Sequence, residues 1–295
     1  MSNYYLSIKE FSQLSGVEIS TLRYWDEIGL FAPAKRDPSN HYRYYTPDQM
    51  ISLNFINVLS SLDISLKTIS KIEQSLTPEK IIRLIELQEQ EIDKELRRLR
   101  ECYSVLHTRR ELINLGSRVA KGFKTKDGVC MDDDDEPENG IMVDETKIAV
   151  LQRKERSYVL GPRNEWVEGE DFYKPFMNFC KCAGDMRINL GYPIGSVLDS
   201  WKDFLEAPGK PQYFFSSDPS GNRKRAAGKY LTGFHRGYYG EFGDLPERMD
   251  AFAKENSLAL TGPVFTLYMH DEICIKDPGR YLVQVYVSVK KSKRK

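Results

Sequence analysis

The sequence has no long apolar run and no net charge, and these absences exclude several classes of protein. No apolar stretch approaches the roughly 18 residues that a membrane-spanning helix needs, and the first residues lack the basic-then-apolar pattern of a secretory signal. Lys and Arg number 43, as do Asp and Glu, so the whole molecule exerts no long-range attraction on nucleic acid or on anionic membranes. We therefore expect a cytoplasmic protein without membrane contact, in which any binding of nucleic acid is local.

Cysteine is scarce, and the thiols do not form a recognisable framework. The five cysteines stand at positions 102, 130, 180, 182 and 274, an odd and scattered set that fits a reducing compartment better than disulfides. Cys180 and Cys182 are the one close pair, but residues two apart on a helix point in different directions. Because the four histidines also lack the spacing of metal ligands, we expect no metal site and no cofactor.

Motifs for catalysis are missing as well. The chain contains no phosphate-binding loop, no G-x-G-x-x-G and no nucleophile elbow. No residue is therefore assigned a catalytic role, and the sequence does not favour an enzyme.

Residues 1–76 read as short helices separated by caps and turns. Ser7 to Glu10 has the spacing of a capping box, and this first helix should end near Ser15–Gly16. A second helix can begin at Ser20 and end at Gly29, which makes the pair a helix-turn-helix candidate. The turn chemistry of residues 37–40, between basic residues and an aromatic strand, then predicts a β-hairpin wing.

Residues 77–117 have the longest helical pattern in the chain. Apolar residues recur every seven positions, as in the seam of a coiled coil: Ile85, Ile92, Leu99, Leu106 and Ile113. The second seam position carries Gln88, Glu95 and Arg109, which favours a short or antiparallel pairing. The alternative is one helix packed on its own domain, but its opposite face is too polar to be buried.

The remainder of the chain divides into a linker at 118–145 and a domain at 146–295. The linker contains an acidic run at 131–138 to which we assign no role. The domain has a weak internal repeat in which strand, helix, turn and strand recur with their proline turns 70 residues apart. We expect a duplicated α+β domain with a cleft between its copies.

Two sets of residues resemble known families. The first set consists, in this order, of Ile19-Ser-x-Leu-Arg-Tyr-Trp-Asp-x-x-Gly-Leu30, Tyr42-Arg-Tyr-Tyr45, the cap at Thr46 and the long helix. This set resembles the MerR family of bacterial transcription regulators. His235-x-Gly-x-Tyr239 and the final Tyr-rich strands resemble, more loosely, a GyrI-like effector-binding domain. Together they are similar to the BmrR-like multidrug-sensing branch of that family.

The resemblance implies a homodimer that binds an inverted repeat in promoter DNA and distorts it so that RNA polymerase can use the promoter. Arg23 and Tyr24 lie near the start of a helix of the size that enters a major groove, where Arg can bond guanine or phosphate. The implied DNA-binding residues are Ser20, Thr21, Arg23, Tyr24, Tyr42, Arg43 and Tyr44. Residues 1–76 hold seven Lys and Arg against eight Asp and Glu, so we expect modest non-specific affinity.

The last 150 residues contain 22 aromatic residues, more than an ordinary core needs. The surplus predicts a cleft that binds lipophilic aromatic or cationic molecules by stacking and cation–π attraction. The expected ligand-binding residues are Tyr158, Trp166, Tyr173, Tyr192, Phe215, Tyr238, Tyr239, Thr266, Tyr268 and Tyr281. Thr266 stands where the resemblance implies an acid, and Glu168, Asp271 or Glu272 could replace that acid.

Two other functions remain open from the sequence. The protein could be a DNA-binding repressor that responds to no ligand. Less favoured is a small-molecule hydrolase that uses the GyrI-like cleft, for which an acidic group and a polarising tyrosine would be needed in one place.

Overall fold

The computed structural model describes residues 4–73, 76–125, 141–167, 169 and 171–291. The chain divides into two compact units, Met1–Arg100 and Glu101–Lys295. None of the described helices is long and apolar enough to cross a bilayer. Cys130, Glu168 and the acidic run at 131–138 lie outside the described residues.

The N-terminal unit consists of short helices and a small sheet, followed by the first part of a long helix. Its elements are β1 (Leu6–Ser7), α1 (Ile8–Ser15), α2 (Ile19–Glu27), β2 (Lys35–Arg36), β3 (Arg43–Tyr45), α3 (Gln49–Ser61), α4 (Leu66–Glu73) and the start of α5 (Pro78–Lys121). The sheet has the order β1-β3-β2 and is antiparallel. The predicted helix-turn-helix and wing are therefore confirmed.

Local signals determine where the elements of this unit begin and end. Both hydrogen bonds of the capping box between Ser7 and Glu10 are present, and Gly16 ends α1 in the left-handed conformation at φ 72°. In the wing turn, the Ser39 amide donates to Asp37 Oδ1 at 2.8 Å. The buried rings of Phe11, Phe31 and Tyr45 stack beneath these elements and form the centre of the core.

The long helix α5 continues past its predicted end at 117 and stops at Lys121. Gly116 favoured an end there, but the structure assigns this glycine another role. A Cβ on Gly116 would lie 2.7 Å from His270 Nε2, so the missing side chain lets α5 approach the sheet of its own unit closely. Val119 is fully buried one turn later, which holds the last residues of the helix in place.

The C-terminal unit is an α+β domain, as predicted. Its further elements are β4 (Phe123–Thr125), β5 (Ile141–Val143), β6 (Ala149–Arg153), β7 (Arg156–Arg163), α6 (Tyr173–Ala183), β8 (Ile194–Leu198), α7 (Trp201–Glu206), β9 (Tyr213–Ser216), β10 (Arg223–Arg225), β11 (Gly228–Arg236), α8 (Leu245–Glu255), β12 (Leu258–His270), a 3₁₀ turn (Pro278–Arg280) and β13 (Leu282–Lys291).

Eight strands form one antiparallel sheet in the order β10-β7-β9-β8-β12-β13-β11-β6. The segment β7-α6-β8-β9 and the segment β11-α8-β12-β13 each contribute three adjacent strands, which agrees with the predicted duplication. The two halves meet where β8 pairs with β12, and there Ser196 lies opposite Thr266, 70 residues later. Helices α6 to α8 cover one face of the sheet, and Leu112 of α5 packs on the other.

Two predicted elements of this domain are wrong in detail. The single strand expected at 147–160 is two strands, β6 and β7, which lie at opposite ends of the sheet order. The turn expected at 260–265 is instead a bulge within β12, where the register shifts between Thr261 and Val264 and Gly262 adopts φ 78°. The second error arises because a turn and a bulge use the same residues, here Gly262 and Pro263, whereas the break at Lys154–Glu155 contains no turn-forming residue that would reveal it.

Candidate DNA-binding surface and ligand pocket

The second helix of the N-terminal unit buries one face and exposes the other. Leu22 and Trp25 lie in the core, whereas Ser20, Arg23 and Tyr24 are exposed and Thr21 is half-buried. Arg23 and Tyr24 therefore stand free to contact a partner, and Tyr24 is 52% exposed despite its aromatic ring. An exposed helix face with an arginine and a tyrosine fits contacts with phosphates and base edges.

A buried carboxylate joins this helix to the wing. Asp26, whose side chain is 1% exposed, accepts from Arg36 Nη2 at 2.6 Å and from Arg43 Nε at 2.5 Å. Such charge-assisted hydrogen bonds fix geometry as well as contributing energy. Arg43 thus holds the wing against α2. That Arg43 also contacts DNA stays a prediction.

The two wing tyrosines differ in exposure. Tyr42 is exposed near the wing turn, whereas Tyr44 is half-buried on β3. Lys35 of the neighbouring strand lies 5.8 Å from the ring centre of Tyr5. The wing therefore presents cations and rings together, a combination suited to a nucleic-acid backbone.

A pocket opens on the helical face of the C-terminal sheet, where β8 and β12 meet. It encloses about 660 Å³ including its mouth. Its walls combine rings, small residues and two carboxylates: Arg109, Phe172, Phe176, Leu190, Ile194, Gly195, Ser196, Pro208, Pro211, Phe214, Tyr239, Gly240, Phe242, Thr266, Tyr268, Asp271 and Glu272. We call it the helical-face pocket.

Two hydroxyl groups lie together in this pocket, where the two halves of the sheet join. Ser196 Oγ and Thr266 Oγ1 are 2.6 Å apart, and Thr266 is only 2% exposed. The two hydroxyls satisfy each other, so the position that the resemblance assigns to an acid carries no charge here.

Aromatic rings surround Tyr239. Its ring stacks on Phe172 with centres 5.8 Å apart and planes 11° apart, and it lies 4.6 Å from the ring of Tyr268. The Tyr268 hydroxyl is held by the Tyr238 carbonyl at 2.8 Å. Rings fixed in this way provide a rigid surface for a planar or cationic guest.

The charge at this pocket comes from Asp271 and Glu272, balanced in part by Arg109. Tyr239 donates a hydrogen bond to Glu272. Burial and the neighbouring Glu272 raise the pKa of Tyr239 well above its usual range, so the phenol stays a donor. Burial also raises the pKa of Asp271, against the opposing effect of Arg109 at 3.4 Å.

Arg109 connects α5 to the same pocket. Besides Asp271, it donates from Nε to the Gly191 carbonyl at 2.6 Å and from Nη2 to the Tyr192 carbonyl at 3.5 Å. The sequence pattern marked Arg109 only as a break in the apolar seam. Its polar character is explained by these bonds to the segment that leads into β8.

The ten predicted ligand-binding residues are not all in one place. Tyr239, Thr266 and Tyr268 line the helical-face pocket. Ring contacts connect three more to that group: Tyr173, Tyr238 and Tyr281. Tyr158 and Phe215 lie instead on the opposite face of the sheet, and Trp166 and Tyr192 line neither site.

The five predicted dimerisation residues lie along α5. Ile85, Ile92, Leu99 and Leu106 are exposed, and Ile113 is half-buried. Within the part of the chain that the structure describes, no group of three or more His, Cys, Asp or Glu side chains is arranged to hold a metal ion.

Comparison with known proteins shows which family model and which relatives the chain is similar to. Residues 6–76 match the family described as "MerR HTH family regulatory protein". The chain is 23% identical to the Multidrug-efflux transporter 2 regulator of Bacillus subtilis (strain 168), over 97% of either chain. It is 41% identical to the Multidrug-efflux transporter 1 regulator of the same organism, over 32% of this chain and 34% of that relative. These relatives are named as regulators and not as enzymes.

Among the solved structures that the chain matches is the EcmrR–DNA complex determined by cryo-EM. It matches with 19% identity and a TM-score of 0.35, over 97% of this chain and all of that one. The EcmrR C-terminal domain matches half of this chain and 98% of its own length, with 13% identity and a TM-score of 0.35.

Proposed function

We propose that this chain, whose residues 6–76 match the MerR helix-turn-helix family, is a transcription regulator that acts as a homodimer on promoter DNA and responds to a lipophilic aromatic cation. Each α2 reads half of an inverted repeat, and the wing contacts the flanking backbone. The paired α5 helices set the spacing of the half-sites. Ligand binding alters that geometry, distorts the DNA and presents the promoter to RNA polymerase.

Dimerisation through α5 is supported by the exposed seam. Four apolar side chains repeat at seven-residue intervals and remain in contact with water in the single chain. Exposed apolar rows of this kind mark interaction surfaces, and the heptad spacing suits a second helix of the same sequence. A dimer also fits an inverted repeat, because the symmetry of the protein matches that of the site.

The observation that carries the ligand-responsive part is Arg109. This residue belongs to the proposed dimerisation helix, yet its guanidinium bonds both the segment leading into β8 and Asp271 in the helical-face pocket. A cation that binds between Asp271 and Glu272 competes directly with Arg109 for the carboxylate. Because a ligand shifts an equilibrium only through its differential affinity for two states, this competition provides a physical route from the pocket to the helix.

The pocket can be tested with matched naphthalene probes. We expect trimethyl(1-naphthylmethyl)ammonium to bind more tightly than neutral 1-naphthalenemethanol in calorimetry, because the rings accept both and the carboxylates favour the cation. Glu272→Gln should weaken the cation by roughly 3- to 10-fold, or about 0.7–1.4 kcal/mol, and leave the alcohol unchanged. Cation affinity should also fall on acidification before an ordinary aspartate titrates, because the pKa of Asp271 is raised.

Glu255→Gln, an exposed charge change at the end of α8, is the matched control and should leave both affinities unchanged. Equal affinity for the two probes, unaffected by Glu272→Gln, would favour the ligand-independent repressor. Protein-dependent cleavage of the ester 1-naphthyl acetate to 1-naphthol and acetate, with water as the second reactant, would favour the hydrolase.

A further inference from the structure

A second and larger cavity lies on the opposite face of the C-terminal sheet. It encloses about 1790 Å³ including its mouth, and the part of α5 from His107 to Arg118 forms one wall. Alternate residues of β12 separate the two cavities, since Thr266 and Tyr268 line the first whereas Phe265 and Leu267 line the second. We call this second cavity the basic pocket.

Positive side chains dominate its walls. The basic lining residues are His107, Arg110, Arg118, Arg153, Lys154, Arg156 and Arg225. Among the described residues, the one lining carboxylate is Glu111, which lies 3.6 Å from His107. The charge is opposite in sign to that of the helical-face pocket.

Arg225 is the central residue of the basic pocket. It is 7% exposed, and its Nη2 donates to the Lys154 carbonyl at 2.8 Å. Its Nη1 is buried without a hydrogen-bond partner among the described residues. A buried hydrogen-bond donor without a partner is costly, and a bond from a charged donor to an anion is a strong one. An anion in the cavity would relieve that cost.

A second guanidinium and a group of rings lie beside Arg225. Arg153 is 9% exposed, donates to Gln284 Oε1 at 3.0 Å and lies 4.0 Å from the ring centre of Tyr286. The Arg225 guanidinium lies 5.4 Å from the same ring. Tyr286 in turn stacks on Phe265 with planes 8° apart. Two buried cations thus adjoin a stacked aromatic surface.

We propose that the basic pocket is a second ligand site, specific for small aromatic anions such as carboxylates or phosphate monoesters. The rings of Phe265 and Tyr286 contact the aromatic part, and Arg225 Nη1 donates a hydrogen bond to the acidic group. Aromatic rings beside convergent polar groups are typical of a small-molecule site. This site goes beyond the proposed function, because it takes ligands of the opposite charge on the other face of the sheet.

The test uses full-length protein and three probes that share one ring system. In calorimetry, 1-naphthoate and 1-naphthyl phosphate should bind more tightly than 1-naphthalenemethanol, and their affinity should fall with salt. Arg225→Gln should weaken 1-naphthoate at least about 10-fold, because a charge-assisted bond is lost. Lys224→Gln is the matched control, since Lys224 lies next in sequence but pairs with Glu155 on the surface, and it should leave the affinity unchanged.

Arg110→Gln provides a second variant that does not depend on a buried residue. Arg110 is exposed and lines the pocket from α5, so its loss should weaken 1-naphthoate several-fold without affecting folding. Binding of the naphthylmethylammonium cation should persist in both variants, which separates this proposal from the helical-face pocket. The proposal is overturned if 1-naphthoate binds no tighter than the alcohol. It is also overturned if Arg225→Gln and Arg110→Gln alter dimer stability but not 1-naphthoate affinity, because the pocket would then be a contact surface between protein subunits.

Discussion

Leu99→Asp is expected to yield monomers that bind an inverted-repeat operator about 100-fold more weakly than the unaltered protein. Leu99 is central in the seam and 48% exposed. A carboxylate there would have to be buried between two helices without a counter-ion, which the dimer cannot accommodate. An isolated half-site contact loses the linked second contact, so DNA binding falls with the dimer. Sedimentation velocity and fluorescence anisotropy measure the two losses on the same sample.

The matched control is Leu87→Asp, because Leu87 is an exposed leucine of the same helix that lies off the heptad seam. It should leave both the dimer and the DNA affinity intact. If Leu99→Asp sediments as a dimer, α5 does not pair through this seam. If both variants dissociate, the interface covers more of the helix than the seam alone.

Arg23→Ala is expected to weaken operator binding by about 1–3 kcal/mol without lowering the melting temperature. Arg23 is exposed on α2, and alanine is a good helix former, so the variant removes a contact and leaves the fold unchanged. On operators altered at the base pair that Arg23 contacts, the difference in affinity between the unaltered protein and Arg23→Ala should be smaller. Fluorescence anisotropy with a small panel of duplexes measures this difference.

Arg43→Ala provides the contrast for this experiment. Because Arg43 bonds the buried Asp26, its removal should lower the melting temperature of the N-terminal unit as well as the DNA affinity. An unchanged operator affinity in Arg23→Ala would remove this residue from the DNA-binding surface. A loss that is equal on every sequence would make Arg23 a phosphate contact.

Local sequence signals account well for the N-terminal unit. Ser7 and Glu10 form the predicted capping box, Gly16 ends α1, and Asp37 organises the wing turn. Each signal acts within about four residues, so it can be recognised without knowledge of the tertiary structure. Asp26 is the exception. Its burial against Arg36 and Arg43 depends on contacts 10 and 17 residues away.

Long-range packing explains what the sequence did not reveal in the C-terminal unit. Gly116 lies inside α5, where its missing side chain admits His270 of β12. Arg109 looked like a defect in the seam, but it bonds residues more than 80 positions away. Neither role has a local signature.

Whether the predicted residues bind a ligand stays a prediction; the structure shows only where they lie. The ring-rich sequence forms aromatic clusters, and Asp271 and Glu272 line the helical-face pocket. The sequence could not divide the rings between two faces of the sheet, because that division depends on strand register, and a shift of one residue exchanges the faces. Tyr158 and Phe215 therefore stand in the basic pocket, whereas Phe172 and Phe214 were missed in the other.

Footprinting tests the central claim, a dimeric regulator whose DNA geometry responds to a ligand, most directly. The full-length protein would first select its operator from random duplexes, and hydroxyl-radical cleavage of that operator would then be compared with and without a saturating concentration of trimethyl(1-naphthylmethyl)ammonium. We predict two symmetric protected half-sites in both cases, with cleavage between them altered by the cation because the DNA is distorted there. A single protected half-site, or identical cleavage patterns with and without the bound cation, would contradict the account.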